Sequence, residues 1–149
     1  MEALLDTSDA IPTDAPLDAE EAATITIKEK WQGAVTQGSG FVAVPVALLR
    51  LQSKYGLTPT DMLVLINLLA HWWDPARAVY PRSTTIAKRM GVDKRTVQRA
   101  THKLENAGLL TRGVSEDGRR IFTFERLVEK LARDVPAAYV LQAQETYGS

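Results

Sequence analysis

The chain has 149 residues, 45% of them hydrophobic, with basic and acidic side chains in equal number, so it fits one domain with a modest core. The absence of cysteine excludes disulfides, a thiolate nucleophile and thiolate metal sites. No apolar run approaches a membrane span, and the acidic first ten residues do not make a secretory signal, so a cytoplasmic protein is expected.

The neutral total hides two opposed segments. Residues 1–30 carry eight acids against two lysines, a net −6, whereas residues 82–120 carry ten bases against four acids, a net +6. Salt screens charge beyond about 10 Å, so each segment acts through its own local field. The basic one is the stretch to search for phosphate contacts.

In chain order, residues 1–23 contain Pro12 and Pro16 and no sustained apolar period, which predicts a disordered acidic tail. Thr24 to Trp31 alternates, with Ile25 and Ile27 on one face, and predicts a short strand. Gly33, Gly38 and Gly40 make a flexible connection to a second extended piece, Phe41 to Val44. After Pro45, Leu48, Leu49 and Leu51 share a helical face that Gly56 ends. Thr58-Pro59-Thr60-Asp61 is a helix start, with Thr58 as cap, Pro59 at the first position and an acid in the first turn. That helix runs through Met62, Leu65, Ile66 and Leu69 to about Trp73, and its broad apolar surface predicts a central core helix.

Two short helices follow, Thr84 to Met90 capped by Ser83, and Lys94 to Asn106 capped by Asp93. Gly91 between them suits a sharp turn that needs positive φ, with Val92 plugging it. Leu109 to Val114 and Arg119 to Phe124 predict two strands joined through Asp117-Gly118. A last helix, about Arg126 to Arg133, is expected to pack Leu127, Val128 and Leu131 on the domain.

Two short helices around a glycine turn, then a hairpin, are a helix-turn-helix with a wing. On the second helix, 100° per residue groups Val97, Ala100, Thr101 and Leu104 within about 60° on an inner face. Arg95, Arg99 and His102 then lie opposite, flanked by Lys94 and Gln98 on one side and by Thr96 and Lys103 on the other. Arg matches guanine edges, Gln adenine edges, and Lys or Thr phosphates. Lys94, Arg95, Gln98, Arg99 and His102 are therefore the candidate base contacts of a helix in the major groove. Ser83, Thr84, Lys88, Thr96 and Lys103 are candidate phosphate contacts, with Arg112, Arg119 and Arg120 of the wing beside them. Glu116 and Asp117 at the wing tip oppose close approach of a phosphate.

Tyr80-Pro81-Arg82-Ser83, Ile86-Ala87, Met90-Gly91-Val92, Arg95-Thr96-Val97-Gln98-Arg99 and Leu104-Glu105-Asn106-Ala107-Gly108-Leu109 resemble the helix-turn-helix domains of bacterial transcription regulators and plasmid replication initiators. Upstream, Gly40 to Pro45, Leu48-Leu49 and Trp72-Trp73 also resemble that group, so the likeness covers about residues 24–130. Asp93 departs from it, standing where Ser is commoner and bringing a negative charge toward the DNA.

The expected fold is mainly α with a small β component: a winged helix-turn-helix with an N-terminal extension and a C-terminal helix. The domain spans 24–134, with the helix-turn-helix at 83–107 and the wing at 109–124, and 135–149 is a tail available to a partner. The function that follows is sequence-specific binding of double-stranded DNA by a homodimeric transcription regulator, a repressor on a pseudo-palindrome. The alternatives are a plasmid or mobile-element replication initiator or accessory factor, and a protein-interaction module using the wing and the Trp72-Trp73 corner, with the tail as a further partner contact. No nucleophile stands beside a base and neither histidine has a second ligand at metal spacing, so neither catalysis, nor a metal, nor a cofactor is expected.

Overall fold

The computed structural model describes residues 18–35, 40–72, 79 and 82–147. The chain falls into two compact units, Met1–Phe41 and Val42–Ser149. In the first, α1 spans Ala19–Trp31 and a 3-10 turn follows at Gln32–Ala34. The strand expected at Thr24 to Trp31 is therefore helical. Asp18 caps α1, its carboxylate accepting from the Glu21 N–H at 2.8 Å, and Ala19, Glu21, Ala22 and Ala23 are strong helix formers. Once nucleated, the helix runs through the Thr-Ile alternation, where each β-branched residue costs only a few tenths of a kcal/mol. Helix thus begins inside the stretch read as a disordered tail, while residues 1–17 lie outside the described part. Phe41 to Val44, read as an extended piece, is neither helical nor paired in a sheet.

The second unit is built on α2 (Val46–Leu51), α3 (Pro59–Leu69), α4 (Ser83–Met90), α5 (Lys94–Asn106), a hairpin of β1 (Thr111–Val114) and β2 (Arg120–Thr123), and α6 (Glu125–Tyr147). In α2, Leu48 and Leu51 are buried and Leu49 faces out. A capping box starts α3: the Thr58 hydroxyl accepts from Asp61 N–H at 3.1 Å and Asp61 Oδ2 from Thr58 N–H at 2.8 Å. Met62, Val64, Leu65, Leu68 and Leu69 of α3 form the centre of the core. The helix stops at Leu69, short of the expected Trp73. Trp72 folds back against Phe124, ring centroids 5.1 Å apart, and Trp73 lies outside the described residues.

The hairpin is antiparallel, Arg112 opposite Phe122, and Val79 adds a bridge to Phe122 on its other side. Positive φ at Gly118 (85°) closes it. The last helix is longer than expected and passes through Pro136, which forfeits one N–H bond. The turn before that proline is held to the domain: the Tyr55 hydroxyl donates to Asp134 at 2.7 Å, and the Lys130 ammonium lies 5.1 Å from the Tyr55 ring centre. Leu127 and Leu131 are buried as expected, whereas Val128 is 50% exposed, because it sits about a quarter of a turn from that seam. Among the described residues, no helix is long and apolar enough to cross a membrane.

Candidate nucleic-acid interface

The candidate interface is set by how α4 turns into α5. Gly91 takes a left-handed conformation, φ 68°, which lets Val92 N–H return to the Ala87 carbonyl at 3.0 Å. Val92 is 36% exposed, so the turn is closed by its backbone rather than by a buried valine. Ser83 is the first residue of α4; the cap position belongs to Arg82, whose side chain makes no capping bond. Asp93 starts α5, its Oδ1 accepting from the Thr96 N–H at 2.7 Å and the Thr96 hydroxyl at 3.0 Å. Those hydrogen bonds hold the Asp93 carboxyl below the ordinary range, so it stays charged. They also occupy the hydroxyl expected to reach a phosphate.

The inner face is as read from the periodicity: Val97, Ala100, Thr101 and Leu104 are all buried. Thr101 is a polar exception, satisfied by donating to the Gln98 carbonyl at 2.8 Å. Lys94, Arg95, Arg99 and His102 are exposed and Gln98 is half-buried. Thr84 and Lys88 are exposed on α4, and Ser83 is half-buried.

The cations divide into two groups. Among the described residues, Lys94, Arg95 and Arg99 make no ion pair, and neither do Arg82, Lys88 and Arg120. The other candidates are engaged. Lys103 Nζ meets Asp61 Oδ2 at 2.8 Å, Arg112 Nε lies 3.7 Å from Glu105, and Arg119 Nε is 3.0 Å from Asp117 at the wing tip. Arg112 is also laid over the Phe122 ring at 5.8 Å. Glu105 is shared, since His102 Nδ1 approaches the same oxygen at 3.8 Å. Lys103 and Arg112 are thus tied by carboxylates to other elements of the domain and Arg119 to its own wing tip, while Lys94, Arg95 and Arg99 on the N-terminal half of α5, and Arg120 on the wing, form no ion pair among the described residues. Periodicity places a residue on a face but is blind to partners distant in sequence, so Asp61 and Glu105 were missed as parts of the site. Among the described residues, no His/Cys/Asp/Glu group is disposed to hold a metal.

Asp61 also has a pH signature. Burial alone would raise its carboxyl, but the hydrogen bonds from Lys103 and Thr58 overcome that and hold it below the ordinary value. A lowered folded-state value contributes stability above about pH 4, the unfolded range, and loses it as pH falls through the folded value. Melting temperature followed downward from pH 6 is expected to fall more steeply in the wild type than in Asp61→Asn. Parallel curves would deny the linkage.

Residues 55–110 match a helix-turn-helix domain family. No curated protein matches the chain. Among solved structures, the N-terminal domain of the DnaD protein from Geobacillus kaustophilus is similar at a TM-score of 0.51 and 20% identity, over 86% of this chain and 99% of that one. A protein of the thermoacidophilic archaeon Sulfolobus tokodaii is similar at 0.47 and 19%, over 70% and 96%. A MepR mutant from S. aureus, bound to an oligodeoxyribonucleotide, is similar at 0.45 and 18%, over 91% and 85%. The helices, turn and hairpin agree with the family match and with the likeness to the DnaD domain on the fold, a winged helix-turn-helix.

Proposed function

We propose that this winged helix-turn-helix chain is a transcription regulator that binds double-stranded DNA in the cytoplasm, with the N-terminal half of α5 in the major groove. The observation that carries the reading is the exposed cationic face of Lys94, Arg95 and Arg99, which form no ion pair among the described residues and are presented outward by the buried Val97–Leu104 seam. Exposed cations that form no ion pair among the described residues are available to a polyanion, and long donors there match base edges. Arg95 and Arg99 read guanine, Gln98 and Lys94 flank them, and Lys88, Thr84 and Arg120 contact the backbone. His102 sits further along the same face.

One such helix touches few base pairs, so useful specificity requires two copies on a pseudo-palindrome. A regulator of this kind acts as a repressor when its site overlaps a promoter. Selection from a random duplex pool, followed by footprinting on the DNA flanking the chain's own gene, tests this. The expected result is one pseudo-palindrome with half-sites about 10 bp apart or a multiple of that. A tandem array of direct repeats would transfer the reading to replication initiation, and a pool with no enrichment would remove it.

A further inference from the structure

Asp61 is an unusual member of a capping box. Such carboxylates ordinarily sit at the surface, because the box needs only one oxygen and one backbone N–H. Here the residue is 5% exposed, and the oxygen that caps Thr58 is the one that meets Lys103. Desolvating a carboxylate is costly unless a cation answers it. Lys103 is that cation, reaching across from the last turn of α5 with its side chain 47% exposed. The contact therefore joins the start of the central helix to the end of the helix that carries the interface.

We propose that Asp61 is a positioning residue for DNA recognition: through Lys103 it fixes α5 in roll and along its axis, and so sets where Arg95 and Arg99 meet the bases. This rests on the DNA-binding reading above. Lys103 then belongs to the frame and not to the DNA contacts, contrary to its place among the candidate phosphate ligands. A phosphate that captured Lys103 would leave a buried carboxylate unanswered, so the duplex does not win it. The apolar seam alone leaves α5 some freedom to rotate and slide, because Val97, Ala100 and Leu104 are non-directional contacts. The ion pair is directional. It acts at the end of α5 opposite the base-reading half, where a small change in roll is carried to Arg95 and Arg99 by a rigid helix.

The test compares wild type, Lys103→Met, Asp61→Asn and the double variant Asp61→Asn/Lys103→Gln, in which two neutral partners restore a hydrogen bond without charge. Each is titrated with the duplex selected by the wild type and with random duplex, over a range of salt. The expected result is that either single variant loses about tenfold on the selected duplex, the scale of one mis-set base contact, while random-duplex affinity and salt slope stay put. The double variant recovers most of that loss. Should Lys103→Met not fold, Asp61→Asn and the double variant carry the comparison, since asparagine keeps the cap. Equal losses on both duplexes with a salt slope smaller by about 0.9 would make Lys103 a phosphate contact and overturn the proposal. Lower melting temperatures with unchanged discrimination would overturn it as well, leaving a purely structural pair. A wild type that enriches no sequence overturns the underlying DNA reading instead, and is seen before any substitution is made.

Discussion

Leu104→Ala is expected to lower the unfolding free energy by about 3 kcal/mol, the largest single effect in the domain's helix-turn-helix. Leu104 is fully buried, at the point where α5 meets the core beneath α3. Truncation removes the transfer energy of its side chain and leaves a cavity that close-packed neighbours fill only partly, which in such series costs about 2–5 kcal/mol. Urea unfolding checks it: the midpoint falls and the slope is preserved, because the surface exposed on unfolding barely changes. A loss under about 1 kcal/mol would mean that α5 is not seated by this seam, and the outward placement of its cations would lose its cause.

Replacing Arg95 and Arg99 together by alanine is expected to do the reverse, sparing the fold and removing recognition. The two are four residues apart on one helix face, a like-charge pair that destabilises an isolated helix by a few tenths of a kcal/mol. Melting temperature therefore holds or rises slightly. Each bidentate arginine–guanine contact discriminates by about 1–3 kcal/mol, so affinity for the selected duplex drops about a hundredfold or more and random duplex loses less. Paired binding titrations decide it. Equal losses on both duplexes would demote the arginines to backbone contacts, and an unchanged affinity would move the interface elsewhere.

How far the sequence reaches depends on the range of the interactions involved. Gly91, Asp93 and the Thr58-Pro59-Asp61 start act within a few residues, and each behaves as local chemistry dictates. The buried Val97–Leu104 face and the hairpin at Asp117-Gly118 follow from periodicity and turn geometry in the same way. Thr24 to Ile27 alternates with period two and is nevertheless helical, because the Asp18 cap and the helix formers ahead of it set the backbone. The length of α6 was not legible locally, because the turn before Pro136 is held by a Tyr55–Asp134 bond between residues far apart in sequence. The cations of the site were legible as a face and illegible as a circuit. Lys103 and Arg112 read as donors for DNA until Asp61 and Glu105 are brought beside them by folding.

On the proposed reading, and among the described residues, that circuit leaves about four to six DNA contacts, centred on Lys88, Lys94, Arg95, Arg99, Arg82 and Arg120. The most direct test is the salt dependence of binding to random duplex. Counterion release predicts a log–log slope of about −4 to −5 for that number of neutralised phosphates. A response flat in salt would contradict an interface made by these side chains.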